Sequence, residues 1–162
     1  YTTSQLAKYV TTVANKGTLY DLTFLNKIET VDGKLVKAYD PKFKAELSDV
    51  SDHTWNLVHK GMKNMVSANA IFKPLRQANF SMSGKTGTAQ QSTLHPNHAL
   101  FTGFAPSDAP EIAMSVRIAN GAKSAFASEV GRDIVRYYFK LAEESEIIHN
   151  KASAVTSETI GD

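Results

Sequence analysis

Leu6, Tyr9, Val10 and Val13 recur at helical spacing near the start of the chain, which predicts an amphipathic helix with one face to bury. Thr2-Thr3-Ser4-Gln5 supplies a capping box to open that helix, and Gly17 a stop to close it. From Thr23 to Val31 the residues are of extended type, Asp32-Gly33 is a hairpin turn signal, and Lys34 to Tyr39 returns as the partner strand. A small exposed hairpin is expected there. Asp40-Pro41 ends it, and a polar stretch without assigned structure follows. Ser51 then caps a second helix whose predicted buried side carries Trp55, Val58, Met62, Met65 and Val66.

Asn69 to Asn79, interrupted by Pro74, reads as an irregular connection into a strand around Lys85. In the next strand Ala99, Phe101 and Gly103 alternate with Leu100, Thr102 and Phe104. Both faces are apolar, as for an inner strand covered twice. After Ala105-Pro106-Ser107-Asp108, the residues Ile112, Met114, Val116 and Ile118 alternate with Ala113, Ser115 and Arg117, predicting a half-buried strand. Asn120-Gly121 turns the chain into a last helix, capped by Ser124, with Phe126, Val130, Ile134, Tyr138 and Leu141 as its expected buried stripe. The pattern therefore predicts an α/β (α+β) fold: three sequential antiparallel strands with helices on their faces and the Lys85 strand at an edge. Residues 1–144 carry this organisation, and 145–162 are expected to be a flexible tail rich in Ser, Thr and Ala.

At 162 residues, 42% hydrophobic and 21% charged, the chain suffices for one core, as one domain or part of one. A formal charge of +2, without a basic cluster interleaved with aromatics, gives no reason to expect nucleic acid as a partner. Cysteine is absent, which excludes disulfides, thiolate catalysis and a cysteine zinc site. No apolar run approaches the roughly 18 residues of a membrane helix. Tyr1-Thr2-Thr3 lacks the layout of a signal peptide, so any anchor is expected outside this chain.

The candidate chemistry lies in Ser83-Gly84-Lys85-Thr86-Gly87-Thr88-Ala89-Gln90. A cation, hydroxyls and glycines this close together suit an anion, because glycines admit a ligand to the backbone N–H groups. A phosphate loop would need glycine where Asn79 stands and a helix opening at the lysine, whereas Gly87, Ser92, Thr93 and Pro96 follow. Lys85-Thr86-Gly87 also matches the K-T-G strand of penicillin-recognising serine acyltransferases. Alternation places Thr86 and Thr88 on one side of such a strand, able to grip one carboxylate, and Lys85 and Gly87 on the other. Lys85 should then find a polar partner on the far side. With no side chain at Gly87, an extended peptide could pair with the strand. A lone K-T-G is as readily an exposed polar turn, or Lys85 a surface lysine guarding an edge.

The neighbouring motifs separate these alternatives. Gly61 through Met65-Val66, then Ser83 to Gln90, then His98-Ala99-Leu100-Phe101-Thr102-Gly103-Phe104-Ala105-Pro106, resemble the C-terminal part of the transpeptidase domain of class B penicillin-binding proteins, of the elongation or cell-shape type. Thr3-Ser4-Gln5-Leu6-Ala7 with Ala14-Asn15-Lys16-Gly17-Thr18-Leu19 is similar to that family's helix after its Gly-Gln-Gly turn. The resemblance implies a penicillin-binding transpeptidase or serine β-lactamase-like fold and a parent enzyme that is a D,D-transpeptidase. It implies that Lys85 orients a proton-shuttling serine, that Thr86 and Thr88 hold the substrate carboxylate, and that Thr88 N–H is an oxyanion donor. It also implies as partners a peptidoglycan stem peptide ending in D-Ala-D-Ala, β-lactam antibiotics, the N-terminal part of the same domain and a membrane glycosyltransferase. The implied location is the outer face of the bacterial cytoplasmic membrane, and no cofactor or metal is implied.

Acyl transfer of this kind also needs a nucleophile and a base. No serine here is followed by lysine three positions later, so S-x-x-K is absent. Ser67-Ala68-Asn69 spells S-x-N but falls where the family has no catalytic element. The chain is therefore expected to begin between the second and third motifs, to be inactive alone, and to leave a contiguous apolar patch uncovered. A β-lactam sensor or serine β-lactamase of the same fold, and an inactive module binding a cell-wall peptide or another partner, are the alternatives. His95 and His98 lie close together but lack a third metal ligand nearby, and His53 and His59 fall on different sides of their helix. Trp55 and the methionines at helical spacing are expected in the core.

Overall fold

A computed structural model of the chain describes residues 1–148. Helix α1 (Thr3–Ala14) opens on the expected capping box: Gln5 N–H donates to Thr2 Oγ1 (3.2 Å) and Thr2 N–H to Gln5 Oε1 (2.8 Å). Burial is confined to Val10–Ala14, so Tyr9, expected on the buried face, is 64% exposed. Gly17 stops the helix at φ 108°, a conformation that favours glycine, and its N–H reaches back to the Thr12 carbonyl.

Two ribbons follow. β1 (Thr18–Asp21) pairs with β4 (Lys42–Glu46), and between them β2 (Lys27–Glu29) pairs with β3 (Leu35–Ala38) around Asp32-Gly33. The inner hairpin is exposed along both strands, as predicted. β4 replaces the expected polar stretch. Of its residues only Ala45 is even partly covered, so it shows no apolar face to betray a strand. Pairing with β1 and an edge contact between Tyr20 and Phe43, 6.4 Å between ring centres, hold it instead.

Helix α2 (Asp52–Ala68) is capped by Ser51 Oγ, which accepts from Thr54 N–H at 3.2 Å. Trp55 and Val66 are buried and Met62 and Met65 half-buried, but Val58, expected beside them, points out. The segment expected to be irregular is helical. Asn69 Oδ1 accepts from Ile71 N–H to start a 3-10 turn at Ala70–Phe72, and α3 (Lys73–Gln77) follows. Pro74 sits in the first turn of α3, where its missing N–H costs no helical bond.

β5 (Ser83–Ala89), β6 (His98–Ala105) and β7 (Ile112–Ile118) form one antiparallel sheet in that order, with β6 central. Phe104 faces α1 and α2, packing with Val10, Val13, Ala14 and Trp55. Phe101 faces the other way, with Phe72, Leu75, Met82 and Met114. That second face is closed by α4 (Ser124–Tyr138), and the short α5 (Glu144–Ile147) continues past residue 144, tied back by Arg136 to Glu146 at 3.5 Å. The remainder of the expected tail, 149–162, lies outside the described residues.

α4 departs from expectation in two ways. Lys123, not Ser124, occupies the N-cap position, without a side-chain bond. The buried face is Ala127, Ser128, Gly131 and Val135, while Phe126, Val130, Ile134 and Tyr138, expected inside, are 37%, 42%, 37% and 52% exposed. The cause is Phe101. A Cβ on Gly131 would stand 2.5 Å from its Cδ1, and one on Gly84 2.5 Å from its Cζ, so the ring fills the space between helix and sheet. Only small residues fit over it, and the large ones turn outward.

Candidate functional site

β5 is anchored at its start. Met82 and Ser83 are buried, and Ser83 Oγ donates to Ser107 Oγ at 3.0 Å. Register then fixes what each following residue faces. Lys85 lies opposite Thr102 and Gly87 opposite Leu100 on the α1–α2 face; Thr86 lies opposite Phe101 and Thr88 opposite Ala99 on the α4 face. The alternation expected from the sequence is present, and the strand geometry excludes a phosphate loop, which needs a helix from the lysine onward. Lys85 and Thr88 are exposed, and Thr86 and Gly87 half-buried. The partner of Lys85 is not the far-side group that was expected: its Nζ donates to the neighbouring Thr86 carbonyl at 2.7 Å. Among the described residues no strand pairs with the outer side of β5.

The surroundings are cationic. Lys16, Lys60 and Lys63 line a cleft of about 320 Å³ that reaches Ser83 at the start of β5. Lys63 is paired with Asp108 (2.9 Å) and Lys16 donates to Asn56 Oδ1 (3.0 Å). Ser67, Asn69, His59 and His98 have structural roles. Ser67 Oγ donates to the Lys63 carbonyl and Asn69 caps the 3-10 turn. His59 bonds the Val13 carbonyl through Nε2 (2.7 Å) and packs its ring on Phe104. His98 is buried with both ring nitrogens engaged, by Gln91 Oε1 and by the Asn120 N–H. Among the described residues no three His, Asp or Glu side chains cluster as a metal site. The bonds of His98 left no mark in the sequence, because hydrogen-bond partners distant along the chain have no periodic signature.

Comparison with known families places the chain. A model described as the penicillin binding protein transpeptidase domain matches residues 1–138. The chain belongs to that transpeptidase family. Among curated members, the peptidoglycan D,D-transpeptidase MrdA of Haemophilus influenzae is 30% identical over 152 residues, covering 83% of this chain and 23% of its own length. Among solved structures, penicillin-binding protein 2B from Streptococcus pneumoniae strain 5204 is 27% identical with a TM-score of 0.66, over 86% of this chain and 23% of that one. An imipenem acyl-enzyme complex of penicillin-binding protein A from Mycobacterium tuberculosis superposes with a TM-score of 0.71 at 23% identity, over 86% of this chain and 31% of that one, a likeness of fold. The transpeptidase fold is thus the mixed antiparallel architecture described above. The chain spans less than a quarter of the length of the curated relatives named MrdA and penicillin-binding protein 2B.

Proposed function

We propose that residues 1–144 are the C-terminal part of a D,D-transpeptidase domain, and that β5 is the wall of its cleft against which a peptidoglycan stem peptide ending in D-Ala-D-Ala is laid. The observation that carries this is the outer edge of β5, unpaired among the described residues, with Lys85 and Thr88 exposed along it. An extended peptide can add to such an edge through main-chain bonds. Backbone groups two residues apart on a strand face the same way, so the Thr86 carbonyl that Lys85 reaches and the Thr88 N–H share one side.

In the intact enzyme a serine carried by the part of the protein outside this chain attacks the penultimate D-Ala carbonyl carbon. The C–N bond to the terminal D-Ala breaks, and that residue leaves with a proton as the free amino acid. An amine from a neighbouring strand then attacks the serine ester, forming the cross-link and returning the serine. Lys85 orients the proton-shuttling serine of S-x-N and adds positive potential, Thr86 and Thr88 hold the terminal carboxylate, and Thr88 N–H donates to the oxyanion. A single oxyanion donor is typically worth about 3 kcal/mol of barrier. A β-lactam acylates the same serine; the mycobacterial protein is itself described as an acyl-enzyme complex with imipenem.

We place the intact protein at the outer face of the cytoplasmic membrane, beside a glycosyltransferase that supplies new strands. No described helix is long and apolar enough to cross a membrane, so in this proposal attachment falls to the rest of the protein. The test is acylation of the intact protein by a fluorescent penicillin. Lys85→Ala should lower the acylation rate by at least about 100-fold, the range for loss of one preorganised polar group. Its melting temperature should hold, because Lys85 is exposed. No acylation of the wild type, or an unchanged rate in Lys85→Ala, would overturn the proposal.

A further inference from the structure

At one end of the sheet three strand ends meet: the exit of β5, the entry of β6 and the exit of β7. His98 sits among them, 8% exposed and paired across the ladder with Ala89, the last residue of β5. The Asn120 N–H donates to its Nδ1 at 3.0 Å. A backbone N–H can only donate, so Nδ1 is the accepting nitrogen and the ring proton resides on Nε2. Nε2–H therefore donates to Gln91 Oε1.

The two bonds run to opposite edges of the sheet. Asn120 lies in the turn after β7, held at φ 54°, and that turn is tied a second time by Ala122 N–H to the Asn97 carbonyl at 2.9 Å. Gln91 is three residues beyond Thr88, in the connection that leaves β5. Among the described residues β5 has ladder bonds on one side only, so its last residues are otherwise free to fray. We propose that His98 is a positioning residue for the Lys85–Thr88 segment. As a neutral imidazole of fixed tautomer, it fastens the loop after β5 to the rigid far side of the sheet, and so sets where the Thr88 main chain stands. The inference rests on the transpeptidase function proposed above. A catalytic donor has to be held to a fraction of an ångström, and a misplacement of one can be costly.

Gln91 is exposed, so cutting the bond from that side leaves the core intact. In the intact protein, Gln91→Ala should slow acylation by a fluorescent penicillin by about 3- to 10-fold, the equivalent of one hydrogen bond. Its melting temperature should fall by no more than about 3 °C, and amide exchange in residues 86–91 should quicken. Gln91→Glu at pH 8, which keeps an accepting oxygen opposite Nε2–H, should restore the rate; a merely structural residue would show no such rescue. Wild-type acylation in Gln91→Ala, or Gln91→Glu as slow as Gln91→Ala, would overturn the clamp while leaving the transpeptidase function standing. If the wild type is not acylated at all, that function fails, and the exchange comparison alone decides the clamp: unchanged exchange in Gln91→Ala overturns it.

Discussion

Replacing Gly131 by alanine sets two effects against each other. In a helix interior the change from glycine to alanine is ordinarily favourable by about 1 kcal/mol. Here the new methyl carbon would lie 2.5 Å from Phe101 Cδ1 and 2.6 Å from Cε1, well inside contact distance. The ring cannot easily retreat. A Cβ on Gly84 would stand 2.5 Å from its Cζ, one on Gly103 would stand 3.0 Å from its Cε1 and Cζ, and Phe72 packs against it at a tilt with 5.5 Å between ring centres. Overpacking a confined site costs about 1 to 3 kcal/mol, and this one belongs at the upper end because neither neighbour can give. The net expectation is a loss of about 2 kcal/mol. In the larger domain to which this part belongs, that lowers the melting point by at most about 6 °C. The assay is thermal and denaturant unfolding of Gly131→Ala, Phe101→Leu and the double variant. In the Phe101→Leu background the alanine should cost at least about 1 kcal/mol less, a coupling typical of touching residues. A Gly131→Ala protein as stable as the parent, or strictly additive changes, would refute the packing argument.

Asp21 is held below its ordinary value of 3.8, first by its hydrogen bond from Lys8 (2.8 Å) and then by Lys44. A depressed carboxylate contributes stability above its unfolded pKa and loses it as the pH falls through the folded one. Asp21→Asn should therefore melt below wild type at neutral pH, with the difference closing below about pH 3.8; a difference constant with pH in thermal melts would contradict this. Thr2→Ala and Ser51→Ala each remove an N-cap acceptor and should cost about 1 kcal/mol in denaturant unfolding. Neutral results at both would show that tertiary packing alone sets these helix starts.

Where the physics was local, the sequence was legible. The capping box at Thr2–Gln5, the Asp32-Gly33 turn and the two-sided apolar run of β6 each act within a few residues, and each stands where expected. The alternation of Lys85 and Gly87 against Thr86 and Thr88 was legible for the same reason. The misses involve distant partners. β4 is a strand because β1 lies beside it, and the helix at Pro74 forms because Phe72 and Leu75 are buried under the sheet. Periodicity assigned the largest side chains of α4 to the core, yet Phe101, two elements earlier in the chain, had already filled that space. In the site itself, the motif announced β5, but nothing announced that Lys85 would bond its own neighbour's carbonyl or that His98 would join Gln91 to Asn120.

The bare margin of β5 bears on how the molecule behaves in a crowded solution. Two copies meeting there could zip together strand to strand, since no strand among the described residues covers that edge. The ammonium of Lys85 discourages such self-association, because any partner docking over it must strip its water. Stocks of Lys85→Ala should therefore be more prone to form dimers and larger aggregates than wild type, and rates measured on that variant belong to its monomeric fraction.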